Sequence, residues 1–229
     1  MPRRAVITGS NRGIGRAIAE ALRDRGYELA SINKTIDGAP WLGEIRCDLR
    51  DRDATRGAVR LAIERLGGVD LCIANAAVRR LTGCARMSDE DWSDSIAVNL
   101  TSIFILAREV IPALRSSGGH LIVIGSQAAR QAFEGGAAYC ATKAALKALC
   151  EVLILEEQPA GVRVTLVSPG ATRNRPKNLD DHKMDPASVA AAVVSVADAP
   201  SDVLIGELEL RPMNPLRSEI TGIDRLTML

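Results

Sequence analysis

Short runs of aliphatic and β-branched residues alternate along the chain with longer segments whose apolar residues recur at helical spacing. The short runs predict strands at Arg4–Thr8, Glu28–Ile32, Glu44–Cys47, Val69–Ala74, His120–Ile124, Val162–Val167 and Val203–Leu208. The longer segments predict helices at Ile14–Arg25, Arg52–Leu66, Asp89–Leu114 in two pieces, Ala137–Glu157 and Pro186–Val196. Alternating strands and helices connect by right-handed crossovers into a parallel sheet. We therefore predict an α/β fold: a doubly wound, mostly parallel, seven-stranded sheet with helices on both faces.

Length and composition fit one folding unit. The 229 residues are 47% hydrophobic and 25% charged, and the sequence has no internal repeat or linker. We expect residues 1–229 to form a single domain with a short substrate lid at about 171–185. The net charge of +1 and the six aromatic residues, two each of Trp, Tyr and Phe, give no reason to expect nucleic acid or a membrane as partner.

Cysteine usage and the N-terminus predict a cytoplasmic protein. The five cysteines cannot all pair with one another and include no Cys-x-x-Cys motif, which favours a reducing compartment. The start of the chain leads directly into the first strand without the apolar core of a signal peptide. No stretch is expected to reach the roughly 20 apolar residues that span a bilayer. His120 and His182 lack flanking ligands, so no metal site is expected.

A glycine-rich turn lies between the first strand and the first helix. It reads Thr8-Gly9-Ser10-Asn11-Arg12-Gly13-Ile14-Gly15. Glycines permit a tight turn and close backbone approach to a pyrophosphate, and the helix N-terminus offers unpaired N–H groups to it. The alternative is an ordinary glycine-rich connection. The predicted cofactor-binding residues here are Gly9, Ser10, Asn11, Arg12, Gly13, Ile14 and Gly15.

The end of the second strand bears on the choice of cofactor. An acidic residue there would bind the free 2′-hydroxyl of NAD, but this sequence has Asn33-Lys34. Lys34 and Arg12 are suited to balance a 2′-phosphate, so NADP(H) is favoured and NAD(H) remains possible. The alternative is that both are solvated surface charges.

Further cofactor contacts are predicted after the third and fourth strands. Asp48, followed by Leu49, is placed to hydrogen-bond the adenine amino group. Its alternative role is a carboxylate at a helix N-terminus, close to Arg50. Asn75 follows the fourth strand and completes this part of the predicted cofactor site.

Tyr139 and Lys143 begin a long helical segment, and their spacing of four places them on one helix face. A cation beside a phenol lowers its pKa from about 10. Such a pair also arises when a tyrosine packs over a lysine stem. Ser126, just past the fifth strand, is suited to hold a substrate oxygen. Asn99 is polar within an apolar helix, where it is either functional or a buried amide that satisfies the backbone.

Together with the glycine turn, these four residues resemble the short-chain dehydrogenase/reductase superfamily in its compact, single-domain, Rossmann-type form. The resemblance runs from Ala5 to about Leu210. It implies that Asn99, Ser126, Tyr139 and Lys143 form the catalytic tetrad. Ser126 and Tyr139 would hold the carbonyl oxygen and Tyr139 would donate the proton. Lys143 would bind the nicotinamide ribose, and Asn99 would hold a water.

The resemblance also extends to the nicotinamide side of the site and to assembly. It implies that Pro169, Gly170 and Thr172 lie near the nicotinamide, and that helices 96–114 and 137–157 form an interface of a homodimer or homotetramer. The sequence departs from the family at Ala77, where glycine is usual, and at Asn174, where threonine commonly contacts the carboxamide.

The expected function is an NADP(H)-dependent oxidoreductase that interconverts a carbonyl and an alcohol on a ketone or 3-oxoacyl-type small-molecule substrate. The alternative is an NADP(H)-sensing regulatory protein, which would need no acid–base tyrosine. Several cations lie where substrate would enter: Arg79, Arg80, Arg173, Arg175, Lys177, His182 and Lys183. They would attract an anionic substrate, or they are solvated loop charges.

Overall fold

The computed structural model describes residues 2–173 and 182–214, and capping side chains mark the start of three of its helices, α2, α3 and α6. The helices are α1 Gly13–Asp24, α2 Arg52–Leu66, α3 Asp89–Ile96, α4 Ser102–Ser117, α5 Ala137–Glu157 and α6 Pro186–Ala197. Asp51 caps α2 by accepting hydrogen bonds from the N–H groups of Asp53 and Ala54, and Gly67 ends it with a φ of 65°.

Seven strands form one parallel sheet, which confirms the predicted fold class. The strands are β1 Arg4–Thr8, β2 Glu28–Asn33, β3 Glu44–Arg46, β4 Leu71–Ala74, β5 His120–Ile124, β6 Arg163–Pro169 and β7 Glu207–Leu210. Their order is β3-β2-β1-β4-β5-β6-β7, and every neighbouring pair is parallel. The strand order reverses between β1 and β4, the place where doubly wound sheets bind ligands.

The two faces of the sheet bury separate cores. Val6 of β1 packs with residues of α2, α4 and α5 on one face. Its neighbours Ala5 and Ile7 pack with α1 and α6 on the other face. This alternation follows from the two-residue period of a strand. Each fully buried aliphatic side chain contributes roughly 1.5–3 kcal/mol, so the layers hold the strand ends in fixed positions.

The last strand starts later than the sequence predicts. Val203 was expected to begin it, but the N–H of Val203 donates to the carbonyl of Pro200 in a turn after α6. Pairing with β6 begins only at Glu207, opposite Leu166. The predicted start was wrong because the apolar run Val203–Ile205 closes the turn instead of joining the sheet.

The helical stretch Asp89–Ser117 is long and apolar enough to cross a membrane by length and composition, contrary to the sequence expectation. Half of its most apolar 18-residue window is buried, and its residues Ile103 and Leu106 pack into the core beneath α2. Core helices of globular proteins show the same pattern. Within the described residues, no group of three or more His, Cys, Asp or Glu side chains is arranged to hold a metal.

The predicted lid is described only at its two ends. Asn174, Arg175 and Lys177 lie outside the described residues. At the ends, the N–H of Arg173 donates to the carbonyl of Met184, and the N–H of Met184 donates to the carbonyl of Ala171, both at 2.9 Å. The two ends of the segment are therefore joined directly before α6.

Candidate active site

The predicted site residues lie at the carboxyl ends of five neighbouring strands. Gly9 follows β1, Asn33 ends β2, Asn75 follows β4, Ser126 lies two residues beyond β5, and Pro169 ends β6. Parallel strands bring these ends to one edge of the sheet. The sheet thus gathers residues that are far apart in sequence.

Three glycines of the turn are structurally required, two by their backbone conformation and one by close packing. Gly9 adopts a φ of 70° and Gly13 a φ of 56°, in the left-handed region that favours glycine. A Cβ on Gly15 would lie 2.1 Å from the Gly9 carbonyl oxygen and 2.4 Å from Nδ2 of Asn75. The turn therefore presents backbone groups that no side chain covers.

The N-terminus of α1 is suited to bind an anion. Its N-cap residue, Arg12, makes no side-chain capping hydrogen bond, and the first turn holds no acidic residue. Uncapped N–H groups and the positive end of the helix dipole favour a phosphate here. This arrangement fits the pyrophosphate of a dinucleotide.

Asn75 holds the turn in place. Its Nδ2 donates to the carbonyls of Thr8 and Gly9, each at 3.0 Å. The hydroxyl of Thr8 in turn accepts the N–H groups of Asn75 and Ala76, each at 3.0 Å. The structure thus gives Thr8 a supporting part that the sequence analysis missed, although its position directly before Gly9 was a usable signal.

On the adenine side of the site, the polar and charged side chains pair with one another. Asn33 is buried, and its Oδ1 accepts the N–H of Ser10 at 2.9 Å. No carboxylate therefore stands at residue 33 to bind a ribose 2′-hydroxyl. Lys34 is exposed, and its Nζ lies 3.0 Å from Oδ2 of Asp48. The turn residue Asn11 donates to the hydroxyl of Thr35 at 2.6 Å.

Asp48 carries the strongest ion pairing in this region. Arg50 donates to both of its carboxylate oxygens, at 2.7 to 3.1 Å. Hydrogen bonding to Arg50 and Lys34 holds the pKa of Asp48 well below its usual range. Both roles raised for Asp48 therefore remain open, since it is paired with Arg50 and lies beside Lys34. Leu49 packs against the core.

Tyr139 and Ser126 meet at the end of β5. Tyr139 lies in the first turn of α5, and the hydroxyl of Ser126 is near enough to its phenol to influence the phenol pKa. Burial raises the pKa of the Tyr139 phenol, while the Ser126 hydroxyl and the charge of Arg79 act in the opposite direction. The net direction is the reverse of the sequence expectation, because desolvation outweighs the nearby donors. A protonated phenol is the form that can donate a proton.

Lys143 is buried on the same face of α5. Its Nζ donates to the carbonyl of Ile124 at 2.8 Å and lies 5.8 Å from the centroid of the Tyr139 ring. Burial lowers the pKa of Lys143 to about 8. The two residues share a face as predicted, and Lys143 is held by the strand that leads to Ser126.

Asn99 is fully buried in a wide helical turn, Ala97–Thr101, that joins α3 to α4. Its Oδ1 accepts the N–H of Val78 at 2.8 Å, and its Nδ2 donates to the carbonyl of Val78 at 2.9 Å. Nδ2 also lies 3.3 Å from the hydroxyl of Thr142. Its side chain therefore satisfies backbone groups, and its part in holding a water stays a prediction.

The Pro169-Gly170 turn is supported by a residue that the sequence analysis did not name. A Cβ on Gly170 would lie 2.3 Å from Oε1 of Gln127, and Nε2 of Gln127 donates to Glu209 at 2.9 Å. Thr172 donates to the carbonyl of Gly170 at 3.1 Å. Only the position of Gln127 beside Ser126 hinted at this contact.

The fold and site together define a class of protein: a nucleotide-binding oxidoreductase with a serine, a tyrosine and a lysine beside an uncapped glycine turn. A family model described as short chain dehydrogenase matches residues 3–183. The chain belongs to the short chain dehydrogenase family. It is accordingly an oxidoreductase of the kind that exchanges hydride with NAD(P)(H).

Individual relatives agree with this family. The chain is 30% identical over 226 residues to 3-oxoacyl-[acyl-carrier-protein] reductase FabG of Vibrio cholerae, covering 89% of this chain and 93% of that protein. A 30% identical match to glycine betaine reductase ATRR of Emericella nidulans covers 91% of this chain but only 18% of that longer protein. Among solved structures, an alcohol dehydrogenase of Thermococcus sibiricus complexed with 5-hydroxy-NADP superposes with a TM-score of 0.87 at 28% identity, covering 95% of this chain and 99% of that one.

Proposed function

We propose that this protein is an NADP(H)-dependent reductase of a ketone or 3-oxoacyl-type substrate. The observation that carries the proposal is that Tyr139 and buried Lys143 lie beside the end of β5, at the sheet edge that also holds the glycine turn. Lys143 Nζ is 5.8 Å from the centroid of the Tyr139 ring and donates to the carbonyl of Ile124, two residues before Ser126. A protein that only senses the cofactor has no need of this acid–base group. The similarity to a 3-oxoacyl reductase along most of both chains supports the substrate class.

The residues of the chain divide the chemistry between them. Uncapped N–H groups of α1 and the bare backbone at Gly9 and Gly15 would hold the pyrophosphate. When bound, the dinucleotide supplies the hydride. Ser126 and Tyr139 hold the carbonyl oxygen of the substrate by hydrogen bonds. Tyr139 then donates its phenolic proton to that oxygen as negative charge develops on it.

Lys143 supports Tyr139 by its charge. Its buried ammonium lies beside the phenol ring and stabilises the phenolate that remains after proton transfer. The Ile124 carbonyl fixes the position of this ammonium. The two hydrogen bonds between Asn99 and Val78 fix the backbone beside the site. This contact would keep the catalytic residues at a constant spacing.

A direct test is NADPH consumption, followed by absorbance, across ketones, aldehydes, quinones, sugars and 3-oxoacyl thioesters. We expect turnover with ketone or 3-oxoacyl compounds, and faster turnover with NADPH than with NADH. NADPH binding without turnover on the whole panel would contradict the proposal and favour a cofactor-sensing protein.

Lys34 supports the preference for NADP(H), because it is exposed beside Asp48 at the end of β2 while residue 33 is a neutral amide. We expect Lys34→Gln to raise the Kd for NADPH about fivefold, the effect of about 1 kcal/mol from an exposed charge pair. The Kd for NADH should change little. Fluorescence titration measures both constants, and an equal change in the two would show that Lys34 does not contact the 2′-phosphate.

A homodimer or homotetramer is part of the proposal. Helices α4 and α5 leave large apolar side chains in solvent, with Phe104 48% and Leu155 74% exposed. Such side chains favour contact with another chain. Both helices belong to the pair that the resemblance assigned to an interface, so this face supports the proposed self-association.

The cytoplasm stays the proposed compartment. All five cysteines lie in the described part of the chain and none is in a disulfide. Unpaired thiols are typical of a reducing environment.

A further inference from the structure

The backbone that follows β4 is hydrogen-bonded to Asn99 on one side and to the residues that lead into α5 on the other. Val78 exchanges two hydrogen bonds with Asn99. A few residues later, the N–H of Thr82 donates to the carbonyl of Gly135 at 2.9 Å, and Gly135 lies two residues before the start of α5. Because α5 carries Tyr139, the segment 78–82 forms part of the rim around the phenol.

The two arginines of this segment have different surroundings. Arg80 pairs with Asp91 at 3.1 Å and with Asp94 at 3.7 Å. Its charge is therefore already balanced. Arg79 is exposed and, within residues 2–173 and 182–214, forms neither an ion pair nor a hydrogen bond. Since none of these described residues pairs with it, its guanidinium has donors available for a ligand at the rim of the site.

The positive charge of Arg79 acts on the phenol of Tyr139, the proposed proton donor. Burial raises the pKa of the Tyr139 phenol and of the Cys140 thiol, and Arg79 lowers both. Two other cations near the substrate side are engaged elsewhere: Arg173 pairs with Asp185, and the ring of His182 contacts the carbonyl of Asn214. Arg79 therefore differs from Arg80, Arg173 and His182, each of which has a partner within the described residues.

We propose that Arg79 is a specificity-determining residue that binds a carboxylate of the substrate, so that the enzyme reduces oxo acids in preference to neutral ketones. This inference rests on the proposed reductase function and narrows its substrate class. A guanidinium presents paired N–H donors that match the two oxygens of a carboxylate. One guanidinium balances one negative charge, which favours a monocarboxylate over a dianionic phosphate.

The test compares oxo acids of increasing chain length with their methyl esters as NADPH-dependent substrates. We expect Arg79→Gln to raise the KM of the acids about 10- to 100-fold, the cost of losing a hydrogen bond to a charged group. The kcat for the acids and both constants for the esters should change little. Arg79→Lys should restore part of the lost affinity, because it keeps the charge without the fork of donors.

Arg65→Gln is the matched control. Arg65 is exposed in the last turn of α2, at the opposite edge of the sheet from Ser126. The Arg65→Gln variant should have the same KM and kcat as the parent protein for both the acids and the esters. If Arg79→Gln affects acids and esters equally, or neither, the inference about Arg79 is overturned while the reductase function stands.

A binding measurement separates this inference from the reductase proposal. Calorimetric titration of the same oxo acids into the protein saturated with NADP⁺ requires no turnover. Weaker binding in Arg79→Gln but not in Arg65→Gln would support the inference even if the panel shows no reduction. Equal binding by both variants, or no binding by the parent protein, would overturn it.

Discussion

Tyr139→Phe is expected to lower kcat/KM for carbonyl reduction by about 100- to 10,000-fold, the usual range for loss of a general acid. The substitution removes one hydroxyl and keeps the ring that packs beside Lys143. The lost hydroxyl is both the proposed proton donor and, with Ser126, one of the two groups proposed to hold the substrate oxygen. Steady-state assays with NADPH measure the loss, and fluorescence titration should show that NADPH still binds.

The chain offers a control that makes the same chemical change elsewhere. Its other tyrosine, Tyr27, is buried just before β2, at the amino end of the strands, beneath the guanidinium of Arg3. Tyr27→Phe should leave kcat/KM close to that of the parent protein. Unchanged turnover in Tyr139→Phe would rule out this phenol as the proton donor.

Much of the fold is predictable from the sequence because its strands are buried on both faces. A strand such as His120–Ile124 is fully buried, so it appears as a continuous apolar run between helical segments. Helix ends were also predictable to within a few residues, where Asp51 or Gly67 supplied a cap. The start of β7 was not, because Val203 and Leu208 have the same apolar character and only the turn at Pro200 distinguishes them.

The site was predictable where its chemistry depends on residue type and local spacing. Tyr139 and Lys143 share a face because one helix carries both, and the glycine turn follows β1 by local geometry. Contacts across the fold were not predictable in this way. The pairing of Asn99 with Val78 uses the backbone of Val78, and a backbone partner leaves no trace in the identity of a side chain.

Electrostatics show the same limit. The sequence places a lysine beside a tyrosine, and this juxtaposition alone predicts a lowered phenol pKa. Burial is a property of the whole fold, and here it raises the pKa of Tyr139 and lowers that of Lys143 to about 8. The distinction between Arg79 and Arg80 has the same origin, since only the folded chain brings Asp91 and Asp94 to one of them.

Gly15→Ala tests whether the turn is a cofactor cradle that tolerates no side chain. The added methyl would meet the Gly9 carbonyl oxygen at 2.1 Å and Nδ2 of Asn75 at 2.4 Å, so the turn has to move. We expect the free energy of unfolding to fall by about 1–3 kcal/mol, as for other overpacked positions. NADPH binding should weaken at least about tenfold, because the displaced groups shape the pyrophosphate site. Thermal unfolding and fluorescence titration measure the two effects.

Gly57→Ala provides the matched control for this prediction. Gly57 lies inside α2, and a Cβ there would meet nothing within 4 Å. Because alanine favours a helix over glycine by about 1 kcal/mol, this variant should be more stable than the parent protein and bind NADPH equally well. The same chemical change therefore has opposite expected signs at two helical positions. If Gly15→Ala also kept full stability and NADPH affinity, close backbone approach at the turn would not be what positions the cofactor.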